Sequence, residues 1–139
     1  MHSYKHKVSY YETDKMGLTH HSNYLRWMEE ARVDYFEDIG APYHELEEKG
    51  IYSPVTHMEA DYIRGTTYPE TVTVETRITE FKGVRMKVSY VMKNEAGETV
   101  CRARSEHCFL DGSGRLIRVK KEEPELYGLL NGLVEEDAF

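Results

Sequence analysis

The chain has 139 residues, of which 40% are apolar and 31% are charged, a composition typical of one globular domain. Its 25 acidic residues outnumber its 18 basic ones, and the net charge of -7 disfavours nucleic acid as a partner, because phosphate backbones are bound by an excess of Lys and Arg. No apolar run approaches the roughly 20 residues that cross a bilayer, so we predict no membrane insertion.

The first predicted elements are a strand and a long helix. The strand is predicted over residues 6–11, where Val8 and Tyr10 fall on one face. The helix is predicted from Ser22 to Ile39, because apolar residues recur there at spacings of three and four: Tyr24, Trp27, Met28, Ala31, Tyr35 and Ile39. Ser22 or Asn23 is the candidate N-cap. A short second helix is predicted from Tyr43 to Lys49.

Alternation of apolar and polar residues predicts strands in most of the remaining chain, over residues 54–63, 72–79, 84–93 and 99–110. Glycine-containing turns at 81–83 and 94–97 separate three of them. Turns this short join antiparallel neighbours, since a parallel crossover needs a dozen or more residues. A last short helix is predicted near residues 126–134. These elements predict an α+β architecture, with one antiparallel sheet of about five strands covering the long helix.

The two cysteines indicate a reducing compartment. Cys101 and Cys108 lie in one predicted strand, about 23 Å apart at 3.3 Å per residue. A disulfide requires Cα atoms within about 7 Å, so the two cannot pair within one chain. Because no signal-peptide pattern is present either, we expect a cytoplasmic protein.

A single sheet covering one helix leaves an edge strand unpaired and part of its surface bare. Pairing with a second copy would remove both problems. We therefore expect a homodimer or a homotetramer.

The residues most suggestive of chemistry lie between the first strand and the long helix. This segment, residues 11–24, contains Glu12, Asp14, Gly17, His20 and His21. A helix N-terminus favours the ionised form of a nearby carboxylate, and the first N–H groups of a helix have no intrahelical partner. Such a joint can carry out acyl chemistry without a metal or a serine nucleophile.

Metal binding is an alternative for the same cluster. Adjacent histidines point in diverging directions, however, and neither zinc-ligand spacing nor a helical HExxH pattern is present. No serine lies in a GxSxG-like turn either, which disfavours a Ser/His/Asp hydrolase. We predict no metal and no other cofactor.

This segment resembles the hot-dog-fold acyl-CoA thioesterases of the 4-hydroxybenzoyl-CoA thioesterase type. The similarity rests on the relative spacing of Asp14, Gly17, His21 and Tyr24. Weaker matches follow at residues 30–32, 50–55 and 62–69. The resemblance covers roughly residues 4–120 of the sequence, and the order of predicted elements agrees with it.

The resemblance implies one hot-dog domain over residues 1–139, in which a curved sheet wraps the long helix. It implies hydrolysis of an acyl-CoA thioester to a free acid and a thiol, with no cofactor; an acyl carrier protein is the alternative carrier. Asp14 would act as nucleophile or general base, and the backbone amide of His21 would polarise the carbonyl. The other substrate contacts it implies are Gly17, His20, Tyr24, Pro54 and Val55.

Four basic residues alternate along two predicted strands: Arg85, Lys87, Arg102 and Arg104. They could form a patch for the phosphates of coenzyme A. The alternative is a solvated sheet face whose charge is balanced by Glu75 and Glu106.

Two other functions remain open on the same fold. A non-catalytic acyl-CoA or acyl-carrier-protein binding module would keep the pocket and turn over no thioester. A dehydratase or hydratase would need an Asp/His or Glu/His pair placed differently along the helix. Assays with a thioester panel and with crotonyl and 3-hydroxyacyl thioesters separate the three.

Overall fold

One long helix lies at the centre of the fold. The computed structural model describes all residues from Met1 to Phe139. The first helix, α1, extends over Ser22–Asp38, so the predicted helix is confirmed with a boundary one residue earlier. Its buried apolar residues are Tyr24, Trp27, Met28, Ala31, Tyr35 and Phe36. These follow the spacing of three and four that predicted the helix.

Five antiparallel strands form one sheet that is not closed. They are β1 (His2–Lys7), β2 (Val55–Tyr62), β3 (Thr71–Phe81), β4 (Arg85–Lys93) and β5 (Thr99–Cys108). Their order in the sheet is β1-β3-β4-β5-β2, with every neighbouring pair antiparallel. The predicted α+β architecture is therefore confirmed. β1 and β2 are the two edges.

The remaining helices are short. α2 extends over Tyr43–Glu48, α3 over Val119–Glu122 and α4 over Pro124–Asn131. No helix in the structure has both the length and the apolar character needed to span a membrane.

The first strand lies earlier in the chain than predicted. β1 ends at Lys7, and Tyr10–Glu12 form one turn of 3-10 helix. The prediction over residues 6–11 was wrong because it relied on apolar alternation. In β1 the residues facing α1 are polar: His2 bonds to Asp34 at 2.6 Å, and Tyr4 donates to Glu30 at 2.9 Å. Polar contacts with the helix take the place of an apolar face in this strand.

The core lies between α1 and the inner face of the sheet. β3 contributes Val74 and Ile78 to this core, and β4 contributes Met86, Val88, Tyr90 and Met92. Burial alternates along most of β3, whereas β4 is buried on both faces from Val88 to Met92. Both cysteines of β5 are unpaired: Cys101 is buried and Cys108 is half-buried.

Candidate active site

A tight loop joins the first part of the chain to α1. Thr13 and Thr19 form an antiparallel bridge at its base, and the Asp14 N–H donates to the Leu18 carbonyl at 2.8 Å. At the tip, Gly17 has φ +75°, a left-handed conformation that glycine adopts without strain. Space is not the constraint there, because a Cβ on Gly17 would meet no atom within 4 Å.

The loop forms hydrogen bonds with only one of the two carboxylate oxygens of Asp14. Its Oδ1 accepts from the Met16 N–H at 2.8 Å and more weakly from the Leu18 N–H at 3.4 Å. Its Oδ2 accepts no hydrogen bond from the protein. The loop therefore holds one oxygen of Asp14 and leaves the other available for chemistry.

His21 occupies the cap position at the start of α1, with φ −56° and ψ −28°. Its backbone N–H donates no hydrogen bond within the chain. The prediction that Ser22 or Asn23 is the N-cap was wrong, since both belong to the helix. The Asn23 amide instead donates to the Glu12 carbonyl at 3.0 Å, which fastens the helix to the preceding turn.

His20 belongs to the helix start and does not line the pocket described below. Its Nδ1 lies 2.8 Å from the Ser22 hydroxyl and accepts from the Ser22 backbone N–H at 3.2 Å. Its ring packs on the His21 ring, with centroids 4.3 Å apart. These contacts give His20 a capping role and orient the His21 side chain. They place no part of His20 among the pocket-lining groups.

Asp14, His21 and Tyr24 line one open pocket of about 270 Å³. Apolar and aromatic residues complete much of its wall, including Met16, Leu18, Tyr62 and Ile63. The Tyr62 ring contacts both the Tyr24 ring and the His21 ring, with centroids 5.2 and 6.0 Å apart. The end of β2 therefore forms a wall of the pocket beside the start of α1.

Glu12 is a structural carboxylate rather than a pocket group. It is 5% exposed, and its Oε1 accepts from the Ser9 N–H at 2.7 Å while its Oε2 accepts from the Trp27 indole at 2.8 Å. His6 Nε2 lies 2.8 Å from Oε1. Burial alone would raise the pKa of Glu12, but the hydrogen bonds from Ser9, His6 and Trp27 outweigh it and lower that pKa. Glu12 stays ionised and ties the loop to α1.

Within one chain the structure does not bring Pro54 and Val55 to this pocket. Val55 begins β2 and pairs with His107, whereas Tyr62 at the other end of β2 lines the pocket. The two ends are seven residue steps apart along the strand, about 23 Å.

The four predicted basic residues share the outer face of the sheet, away from α1. Arg104 donates to Asp137 at 3.0 Å and lies 4.1 Å from the Phe139 ring centroid, which is also 5.9 Å from the Arg102 guanidinium. Lys87 lies 3.5 Å from Glu80 and 3.8 Å from Glu106. Arg85 is exposed at the start of β4. Most of this predicted phosphate patch is therefore engaged by acidic residues and by the C-terminal segment.

Sequence reasoning missed two groups in the pocket wall, Tyr62 and Arg64. Arg64 is the only Lys or Arg among the lining residues, and it lies 3.4 Å from Glu98. The Tyr62–Pro69 segment was recognised only as similar to the family. Nothing in its composition indicates that it folds against the loop at residues 13–19.

The cluster of Glu12, Asp14, His20 and His21 does not converge on one point. Glu12 faces His6 and Trp27, and His20 faces Ser22. No group of three or more His, Cys, Asp or Glu side chains in the structure is arranged to hold a metal ion.

Comparison with known proteins assigns the chain to a family. Residues 8–128 match the model of the thioesterase-like superfamily. YneP of Bacillus subtilis, whose name assigns it provisionally to the acyl-CoA thioesterases, is 38% identical over 120 residues, 86% of this chain and 87% of YneP. The 4-hydroxybenzoyl-CoA thioesterase of a Pseudomonas species is 26% identical over 96 residues, covering 67% of this chain and 65% of that protein.

A solved structure agrees with these sequence relatives. The DHNA-CoA thioesterase of Staphylococcus aureus superposes with a TM-score of 0.90 at 32% identity, covering 94% of this chain and 89% of that one. The predicted hot-dog fold is confirmed by this match. The chain therefore belongs to the thioesterase-like superfamily and is a thioester hydrolase.

Proposed function

We propose that this protein hydrolyses an acyl-CoA thioester to a free acid and coenzyme A, using the Asp14 carboxylate and the His21 backbone amide. One observation carries the proposal: the free Oδ2 of Asp14 and the unpartnered N–H of His21 belong to residues that line the same pocket. The names of the Bacillus subtilis and Staphylococcus aureus relatives support coenzyme A as the thiol.

In this mechanism the thioester oxygen accepts a hydrogen bond from the His21 N–H. The partial positive charge of the helix N-terminus adds to that polarisation. As negative charge builds on the oxygen during attack, the bond strengthens, and a donor of this kind is worth about 3 kcal/mol of transition-state stabilisation. Every residue type except proline would provide this backbone N–H at position 21. In this mechanism the amide of His21, and not its imidazole, polarises the carbonyl.

Asp14 has two possible roles that give the same products. As a nucleophile, Oδ2 bonds to the carbonyl carbon, the thiolate leaves, and water then cleaves the resulting anhydride to release the acid. As a general base, Asp14 takes a proton from water while the water oxygen bonds to the carbonyl carbon. The C–S bond then breaks, and the leaving thiolate takes up that proton, which restores the carboxylate. In both roles the carboxylate acts in its ionised form.

The remaining pocket groups suit the two parts of the substrate. Tyr24, Tyr62 and Ile63 offer an apolar wall for an acyl chain or ring. Arg64 is placed to meet an anionic group at the pocket edge, and we assign it rather than Arg104 to a phosphate of coenzyme A.

The proposed active form is a homodimer or a homotetramer. β2 is an edge strand whose residues are mostly exposed, including Val55 at 45% and Tyr62 at 47%. Antiparallel pairing of β2 with β2 of a second copy would remove this edge. The same pairing would set Pro54 and Val55 of one copy beside Tyr62 of the other, which gives the two predicted substrate contacts a place at the site.

Replacement of Asp14 by Asn tests the function. The Asp14→Asn variant keeps the shape of the loop and removes the charge, so kcat on accepted acyl-CoA substrates should fall by about 10³-fold or more. Asp38→Asn is the matched control, because Asp38 is an exposed carboxylate at the other end of α1. Thiol release from short, long and aromatic acyl-CoAs provides the measurement. Turnover in Asp14→Asn within about threefold of wild type would show that the proposed mechanism is wrong.

A further inference from the structure

Three buried hydroxyl groups are hydrogen-bonded in a row at the pocket: Tyr24 and Thr19 line its wall, and Thr66 lies behind them. Thr66 is 1% exposed, Tyr24 is 3% exposed and Thr19 is 8% exposed. The Tyr24 hydroxyl lies 2.9 Å from the Thr66 hydroxyl, which lies 2.8 Å from the Thr19 hydroxyl. Thr19 Oγ1 in turn lies 3.1 Å from the Thr66 carbonyl. Buried hydroxyls that pair this completely lock the segments that carry them.

The contacts determine which hydroxyl group is the donor in each of these hydrogen bonds. A carbonyl can only accept, so Thr19 donates its proton to the Thr66 carbonyl. Thr66 then donates to the Thr19 oxygen, and Tyr24 must donate to Thr66, since each hydroxyl has one proton. Burial raises the pKa of Tyr24, which keeps this donor protonated. Thr66 is the central member, because it contacts both other groups.

This row of hydroxyl groups connects the two halves of the candidate site, the Asp14 loop and the start of α1. Thr19 pairs with Thr13, next to Asp14, and it follows Leu18, whose N–H reaches Asp14 Oδ1. Thr19 also lies two residues before His21. Tyr24 lies in the first turn of α1. Thr66 therefore touches the loop that carries Asp14 and the helix end that carries the His21 amide.

The segment that contains Thr66 is itself anchored. The N–H groups of Ile63 and Arg64 donate to the Val100 carbonyl of β5 at 2.9 and 3.1 Å. The Thr66 carbonyl accepts the Thr19 N–H at 2.8 Å, and the Thr67 hydroxyl donates to the Gly17 carbonyl. The sheet thus supports the loop through residues 63–67, independently of the covalent chain.

We propose that Thr66 is a positioning residue, whose hydroxyl sets the separation and orientation of the Asp14 carboxylate and the His21 amide. This inference rests on the proposed function. Thr66 itself does not line the pocket, so it acts through its neighbours and not on the substrate. A displacement of about 1 Å between reacting groups can cost about a hundredfold in rate, which makes such a support visible in kcat.

A three-variant comparison tests the proposal on the full chain. Thr66→Val keeps the side-chain shape and removes the hydroxyl, and it should lower kcat by about tenfold to a hundredfold with KM within about threefold of wild type. Thr66→Ser keeps the hydroxyl and should recover most of that loss. Thr76→Val is the control, since Thr76 is 1% exposed in β3 and its hydroxyl has no partner. Its kcat should stay within about twofold of wild type.

The measurements are thiol release from hexanoyl-CoA and benzoyl-CoA, with circular dichroism to confirm folding at the assay temperature. A folded Thr66→Val variant with unchanged kcat, or an equal loss in Thr66→Ser, overturns the proposal. If Thr66→Val does not fold, Thr19→Val against Thr19→Ser decides the same question, because Thr19→Val removes the group to which Thr66 donates. Asp14→Asn is assayed in parallel. If it retains turnover, the proposed function and this inference both fail; if only Thr66→Val is unaffected, this inference alone fails.

Discussion

The carboxylate of Glu12 accepts the indole N–H of Trp27 at 2.8 Å inside the fold. Glu12 belongs to the turn before the Asp14 loop, and Trp27 is a fully buried residue of α1. This bond, together with those from Ser9 and His6, determines how the loop enters the helix. The position of Asp14 therefore depends on a second carboxylate that does not line the pocket.

Replacement of Glu12 by Gln should destabilise the protein by about 1–3 kcal/mol, because an amide cannot accept bonds on both of its terminal atoms. The pKa of Glu12 is lowered on folding, so its ionised form contributes stability above the ordinary Glu pKa of about 4.3 that is lost as pH falls further. Urea unfolding at pH 7 and between pH 4.5 and 3.5 measures both effects. Equal stability of wild type and Glu12→Gln at pH 7 would contradict the structural role.

The His21 amide can be tested without relying on the side chain. His21 has φ −56°, close to the value that proline requires, and its N–H makes no bond that folding needs. His21→Pro should lower kcat by about a hundredfold or more, the cost of one oxyanion donor. His21→Ala keeps the N–H and is the matched variant.

The two His21 variants are read as a pair in thiol-release assays, with thermal unfolding as the check on folding. Equal kcat in folded His21→Pro and His21→Ala would place the carbonyl-binding group elsewhere. A large loss in both would assign the role to the imidazole.

The parts of this molecule that the sequence predicted well are those with a strong local period. α1 was predicted to within one residue, and turns at Gly83 and Gly97 lie between the expected strands. β1 was misplaced because His2, Tyr4 and His6 pack through polar bonds, which a search for apolar alternation cannot detect. The Ser9-x-x-Glu12 spacing of a capping box could have indicated the turn at residues 10–12.

The site was predictable only where its residues are close in sequence. Asp14, Gly17 and His21 fall within eight residues, and the resemblance identified all three. Thr66 lies 47 positions from Thr19, and their hydrogen bonds arise from tertiary packing that has no local pattern. The same holds for Arg64. In the sequence its charge does not distinguish it from Arg104 as a phosphate contact, whereas in the fold only Arg64 lines the pocket.

His107 should make the stability of the protein depend on pH in a mildly acidic range. Burial, reinforced by the nearby charge of Arg32, lowers the pKa of His107 from 6.5 to about 3. The unfolded chain therefore takes up a proton below pH 6.5 that the folded protein refuses, and stability falls by about 1.4 kcal/mol per pH unit there. His107→Gln can still bond to Ser105 and cannot titrate, so its stability should depend less on pH.

Urea unfolding between pH 7 and 4.5 measures this slope, above the range in which Glu12 contributes. The expected difference between wild type and His107→Gln is about 2.5 kcal/mol over that interval. Parallel pH profiles for the two proteins would show that His107 does not remain neutral in the fold.

The proposed contact for a phosphate of coenzyme A is Arg64 rather than Arg104. Arg64 lines the pocket and contacts Glu98 at 3.4 Å, whereas Arg104 is bonded to Asp137 at 3.0 Å and covered by the Phe139 ring. Arg64→Gln should raise KM for acyl-CoA by about tenfold, with a larger effect at low salt, and Arg104→Gln should change KM by less than about twofold. Steady-state kinetics at two ionic strengths distinguish them. A larger KM effect from Arg104→Gln would return the phosphate site to the outer sheet face.

The edge strand β2 is the proposed dimer interface. If two copies pair through this strand, a charge at Val55 would be buried against the second copy, so Val55→Lys should shift the protein toward monomer. Val134→Lys is the matched control, since Val134 is 38% exposed in the C-terminal segment. Sedimentation equilibrium gives the assembly state, and kcat/KM should fall together with the dimer fraction because Val55 of the partner subunit would leave the site. A wild-type protein that is monomeric at micromolar concentration and fully active would contradict the proposed dimer. Val55→Lys that stays dimeric would place the interface on another surface.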